Sequence, residues 1–378
     1  MFRFITIVCL LLIALLAVFR APWYPLWLLS IAVQEFPWVF AGIVLLLLLT
    51  GGYRGKFGLI NSMACALALV LYVSPAIRAS GVSKGLGKRL QGAFVPPDSG
   101  KVVIDSGSAF RWWRMFTFGA PVVPPRTLTY DTAAGNELTL DLYPAQRPGS
   151  RPCVIVVHGG SWSGGDSHQL RDLNSRLADD GYVVASINYR LAPRYKSPSP
   201  VEDVAAAFDF LRRHAAELSI DSTAFVLLGR SAGAQIALLS AYTLPEPGLR
   251  GVIDFYGPAD MVWGYQNPGN KLVLDSRKVL ADYLGGSYEA VPRQYHQSSP
   301  IEFVTPYSVP TLMIHGQQDA LVAYAHSTRL NKKLADSGVR HYLLTLPWAT
   351  HGFDYTLNGP GGQLSTYAVE RFLQEVTP

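Results

Sequence analysis

FVLLGRSAGAQIALL, residues 225–239, is the stretch on which the fold turns. Phe225, Val226, Leu227 and Leu228 make a short apolar run suited to a buried strand. Gly229-Arg230-Ser231-Ala232-Gly233 follows as a G-x-S-x-G turn, and residues 234–241 continue with good helix formers. Strand, tight turn and helix put Ser231 at the apex of a sharp, strained turn. There it meets the N-terminus of a helix whose dipole favours negative charge. The flanking glycines remove side chains that would collide with the strand and the helix. The same residues would also suit a plain turn of small side chains. The motif gains chemical meaning only with a base, an acid and an oxyanion site at suitable places.

Three further strand ends supply those groups. His158-Gly159-Gly160-Ser161-Trp162 follows a strand predicted at 153–157. Glycines there let backbone N–H groups turn towards an oxygen that becomes negative in acyl transfer. Gly160 and Ser161 are the first choices as donors, Gly159 is a third, and the N–H of Ala232 completes the hole. Asp319 lies in the loop after a strand at 311–314, where a carboxylate can orient an imidazole and stabilise its cation. His351 follows a strand at 342–346 and is the candidate base for Ser231. Neither a metal nor a cofactor is implied: the Asp166, His168, Asp172 cluster lacks convincing ligand spacing.

From residue 126 onward strands and helices alternate, which predicts a mostly parallel sheet with helices on both faces. Residues 261–310 break the alternation and are the place for an insertion or lid. The order Ser231, Asp319, His351, with HGGSW, GRSAG, HGQQDALV and HGF, resembles the α/β-hydrolases. The resemblance covers about residues 126–378. It points to the hormone-sensitive-lipase-like and bacterial esterase branch. The HGG-x-W form, with Ser161 where HGGG would have glycine, looks more like feruloyl-esterase-like, kynurenine-formamidase-like and prenylcysteine-methylesterase-like relatives. What it implies is a serine hydrolase of the carboxylesterase or lipase type, cleaving a small-molecule or lipid-like ester through an acyl-enzyme on Ser231. An acyltransferase or amidase using the same triad, and a catalytically silent membrane-tethered binding module, stay open as alternatives.

The N-terminal third reads differently. Hydrophobic residues make up 49% of the chain and the net charge is +5. Residues 1–125 carry 11 Lys/Arg against 3 Asp/Glu, and the remainder carries 21 against 24, so the excess lies beside apolar runs. Membrane lipids explain it better than nucleic acid, which is not expected as a partner. Residues 4–19, 26–50 and 57–77 are the apolar runs, and they predict two or three transmembrane helices within an anchor at 1–80. Trp23, Tyr24, Trp27 and Trp38 read as interfacial aromatics. For three spans, the basic residues lean towards a multi-pass protein with a cytoplasmic catalytic domain at 126–378. Residues 81–125 form a connector whose segment 110–116 can rest on the membrane or pack on the domain. The three cysteines imply no disulfide framework.

Overall fold

The computed structural model describes residues 2–50, 58–95 and 108–377. Eight strands follow residue 125: β1 (Arg126–Ala133), β2 (Asn136–Tyr143), β3 (Arg151–Val157), β4 (Val183–Ile187), β5 (Ile220–Arg230), β6 (Leu249–Phe255), β7 (Thr311–Gly316) and β8 (His341–Leu346). They form one sheet in the order β1-β2-β4-β3-β5-β6-β7-β8. β1–β2 and β2–β4 are antiparallel, and every other pair is parallel. This is the mostly parallel, doubly covered sheet predicted from the alternation.

The central strands are apolar on both faces because helices cover both. On β3, Cys153, Ile155 and Val157 enter one core while Val154 and Val156 enter the other. On β5, Phe225 and Leu227 divide from Val226 and Leu228 in the same way. Helices α7 (Ser199–Arg213), α8 (Ala232–Thr243) and α12 (Ala325–Asp336) fill the first core, and α6 (Arg171–Asp179) and α13 (Pro360–Val376) the second. Between β6 and β7 the chain makes α9 (Met261–Gln266), α10 (Ser276–Leu284) and α11 (Pro292–Gln297), within the stretch that broke the sequence pattern.

The N-terminal third is α1 (Phe2–Ala14), α2 (Tyr24–Glu35), α3 (Pro37–Thr50), α4 (Gly58–Ser83) and α5 (Leu86–Phe94). Of the two or three transmembrane helices expected, the structure supports one, or two if a bent pair counts as a single span. Among the described residues only α4 is long and apolar enough to cross a membrane by itself. The apolar run at 26–50 is two helices bent by 83°. The break falls at Phe36, because Pro37 disfavours helical backbone in the residue before it and has no N–H for the ladder. α1, continued by a 3₁₀ turn at Leu15–Ala17, is shorter than a full crossing. α1, α3 and α4 pack together around Ile7, Val44, Cys65 and Tyr72, with large apolar side chains left outside.

The connector is partly built into the domain. Leu86, Leu90 and Phe94 of α5 enter the second core at helical spacing, with Phe94 edge-on to Phe372 at 4.7 Å. Phe110 and Met115 are buried there too, while Trp112, Trp113 and Phe116 stay exposed. The segment at 110–116 therefore packs on the domain with one side only. The basic loop at 51–56 and the connector stretch at 96–107 lie outside the described residues.

Candidate active site

Parallel strands carry their following loops to one edge of the sheet, and the candidate residues all sit there. Ser231 links β5 to α8 with φ 52° and ψ −119°, a left-handed backbone that a serine adopts only under constraint. Its N–H donates to the Phe255 carbonyl (2.9 Å), and its own carbonyl accepts from Ala234 (3.0 Å). Gly233 is needed for this closeness: a Cβ there would lie 2.2 Å from the Val157 carbonyl oxygen.

Asp319 and His351 meet directly. His351 Nδ1 lies 2.7 Å from Asp319 Oδ2, and both residues are buried. A carboxylate only accepts, so Nδ1 carries the proton and Nε2 keeps its lone pair. The other oxygen, Oδ1, accepts the N–H groups of Leu321 and Val322, each at 2.8 Å. Burial alone would raise the Asp319 pKa. His351 beside it and hydrogen bonds from His315 and His351 outweigh burial and hold the carboxyl well below the usual range. His315, near the end of β7, is a second imidazole beside Asp319. In the structure its Nε2 sits 3.2 Å from Asp319 Oδ2, while Nδ1 lies 2.7 Å from Ser327 Oγ. Nε2 faces only acceptors, so it carries the proton and Nδ1 accepts from the serine.

Ser231 and His351 are not hydrogen-bonded to each other. They are linked through neighbours. Phe255 holds the Ser231 N–H, and the next ring, Tyr256, lies 4.3 Å from the His351 ring between centroids.

The loop after β3 separates its three candidate donors. The Gly159 N–H already donates to Gln169 Oε1 at 2.7 Å, so Gly159 is committed elsewhere. Among the described residues the N–H groups of Gly160, Ser161 and Ala232 have no protein acceptor. Ser161 and Trp162 both take positive φ, 54° and 59°. Trp162 fixes the loop: its Nε1–H donates to Gln235 Oε1 (2.8 Å), and its ring stacks on Tyr283 of α10 with centroids 4.5 Å apart.

A cavity of about 360 Å³ opens beside these groups. Ser161, Ser231, Ala232 and Asp319 line it, with Met261, Leu274 and Leu280 of the insertion. Part of its wall is unexpected: Arg20, Ala21 and Pro22 come from the loop before α2. α2 lies over the His351 loop. The Trp27 indole N–H donates to the His351 carbonyl (3.0 Å), and Gln34 Oε1 accepts the Thr350 N–H (2.8 Å). Glu35 accepts from Gly361 (3.0 Å) at the start of α13. Trp27 was expected at a lipid interface; the polar pair Gln34-Glu35 inside an apolar run was the signal that this helix faces protein.

With the sheet order and the strand-edge loops established, the chain falls among the α/β-hydrolases. The BD-FAE family matches residues 140–334, just over half of the chain, and the chain belongs to it. It is 30% identical over 236 residues to Esterase LipQ of Mycobacterium tuberculosis, covering 58% of this chain and 55% of that protein. Esterase LipC of the same organism is 29% identical over 244 residues, covering 60% and 58%. The chain thus spans little more than half the length of these curated relatives. Solved structures share the fold: a bacterial heroin esterase at TM-score 0.59 and 21% identity, covering 67% of this chain and 84% of that one. An esterase of Pyrobaculum calidifontis gives TM-score 0.58 and 23% identity over 68% and 87%.

Proposed function

We propose that this protein is a membrane-anchored serine esterase acting through Ser231, Asp319 and His351. One observation carries the reading: a buried Asp319–His351 pair whose free imidazole nitrogen belongs to the edge where Ser231 stands on a strained turn. In the first half-reaction Ser231 Oγ bonds to the ester carbonyl carbon and His351 Nε2 takes its proton. The carbonyl oxygen becomes negative and accepts the N–H groups of Gly160, Ser161 and Ala232. The C–O bond to the alcohol then breaks, and His351 gives that oxygen the proton. In the second half-reaction water gives a proton to His351 and attacks the acyl carbon. The acid leaves, and Ser231 regains its proton.

Membrane attachment is supported by the exposed apolar sides of α1, α3 and α4. Leu49, Leu59, Met63 and Val70 are all more than half exposed, which a core helix of a water-soluble domain would not tolerate together. The heroin esterase among the similar structures makes a small, soluble ester the starting substrate. Full-length protein in detergent micelles is expected to hydrolyse p-nitrophenyl butyrate, with about 10³-fold or greater loss in Ser231→Ala. Unchanged hydrolysis in that variant would remove the proposal.

A further inference from the structure

The wall contributed by Arg20, Ala21 and Pro22 does more than close the cavity. Two hydrogen bonds join this loop to the insertion: Asn270 Nδ2 donates to the Pro22 carbonyl (2.8 Å), and the Tyr24 N–H donates to the Leu272 carbonyl (3.1 Å). The cavity is therefore bounded on this side by an N-terminal loop and the insertion, tied by one side-chain and one backbone hydrogen bond. Large apolar side chains in these two segments are exposed: Phe19 by 62%, Trp23 by 54%, Tyr24 by 47% and Leu272 by 67%. A group of four large apolar side chains at the edge of a polar reaction site is an attachment surface by ordinary criteria.

Its position selects the occupant. The 3₁₀ turn that ends the first apolar helix stops at Ala17, two residues before Phe19. At the equivalent end of α3, Trp38 packs on Phe116 (5.6 Å) and Phe118 (5.9 Å), and both phenylalanines are exposed. Two aromatic groups thus stand where the lipid-type helices give way to the catalytic domain, as interfacial Trp and Tyr do. Arg20, with no carboxylate partner among the described residues, adds a cation at the headgroup level. Phe19 to Tyr24 follow directly in sequence on the apolar helix that ends at Ala17, and this favours a bilayer over a protein partner.

We infer that Phe19, Trp23, Tyr24 and Leu272 dock the cavity rim into a lipid surface, so that the site takes a long-chain acyl ester dissolved in the bilayer. This rests on the esterase reading for its chemistry and on membrane attachment for its geometry. The apolar side chains of Ala21, Pro22, Met261, Leu274, Val279 and Leu280 line the path that the acyl chain would follow to Ser231.

Two measurements on the full chain in phosphatidylcholine vesicles separate this inference from the reading beneath it. The first needs no catalysis. Cys65 and Cys153 are buried and Cys9 is exposed, so a Cys9→Ser, Leu272→Cys variant takes one environment-sensitive fluorophore. Lipids brominated near the headgroup should quench it strongly. No quenching, as with a rim facing water or a protein, overturns the docking. The second compares methylumbelliferyl oleate in the vesicles with methylumbelliferyl acetate in the buffer. Trp23→Ser with Leu272→Asp should lower oleate turnover by about tenfold or more while acetate turnover stays within about twofold, the scale expected for one or two lost apolar side chains. Equal loss on both esters, or loss on neither, overturns the inference. A wild-type protein inert to both esters overturns the esterase reading instead, and the fluorophore then decides the docking alone.

Discussion

The indole N–H of Trp27 donates to the backbone carbonyl of His351 at 3.0 Å, joining an N-terminal helix to the residue proposed as the base. Gln34 of the same helix holds the neighbouring Thr350 N–H, and Ile31 reaches within 3.2 Å of where a Cβ on Gly352 would stand. Backbone positions 350 and 351 are thus held by hydrogen bonds to a helix outside the family-matched region, with Ile31 beside Gly352. Trp27→Phe keeps an aromatic ring and loses one hydrogen bond, worth about 1 kcal/mol. On a soluble acetate ester kcat should fall about fivefold with KM little changed. A change in KM alone, or none in kcat, would show that α2 does not position His351.

The loop after β3 admits little alteration. Gly160 has φ +124°, and a Cβ there would stand 2.0 Å from the Gly164 carbonyl oxygen. Gly160→Ala must shift the loop and its N–H, so turnover should drop about 10²–10³-fold, as when an oxyanion donor is lost. Ser161→Gly relieves a left-handed serine and should retain activity within about threefold. Steady-state assays of both variants test this; a Gly160→Ala enzyme with normal turnover would take that N–H out of the mechanism.

Arg230, the last residue of β5, is buried and donates from Nε to Asp354 Oδ2 at 2.6 Å. Tyr256 donates to the other Asp354 oxygen, so the pair ties the strand beneath Ser231 to the segment after His351. Arg230→Met leaves the carboxylate without its cation and should destabilise by about 3–5 kcal/mol. Adding Asp354→Asn should recover part of that loss. Thermal unfolding in micelles reads both, and losses that simply add would mean the two residues are uncoupled.

Asp254 gives a pH test. Its Oδ1 accepts the Gly257 N–H at 2.7 Å, while Oδ2 is buried without a hydrogen-bond partner among the described residues. Burial pushes its pKa up from 3.8 to about 7, against smaller opposing effects from His315 and the Gly257 bond. The folded protein keeps this proton after the unfolded chain has lost it. Its contribution to stability therefore falls as pH rises between about 4 and 7 and is level above that. Asp254→Asn should match wild type near pH 4 and exceed it at pH 8, by at most roughly 4 kcal/mol. A stability difference that does not change with pH would mean the carboxyl is ionised throughout.

Much of this architecture is written in local chemistry. Short apolar runs such as 225–228 and 311–314 read as buried strands, and G-x-S-x-G placed Ser231 on a turn that the structure also bends into left-handed backbone. Asp319 and His351 were legible by their order after strands, and the fold brings them to 2.7 Å. What stayed hidden depends on distance in sequence. Nothing near Gly159 announces that Gln169 takes its N–H, and nothing near residue 315 announces a second imidazole on Asp319. The apolar run at 26–50 shows the same limit. Hydropathy treats lipid and a protein surface alike, so α2 reads as a span although it lies on the His351 loop. Only Gln34, Glu35 and Pro37 mark the change of surroundings.

The central claim is that Ser231 is a nucleophile activated by His351. A fluorophosphonate probe reacts with such a serine without needing the natural ester. Full-length protein in micelles should carry the adduct on the peptide containing Ser231 by mass spectrometry. Labelling should vanish in Ser231→Ala and fall sharply in His351→Ala. An adduct on another residue, or folded wild-type protein that takes no probe, would contradict the account.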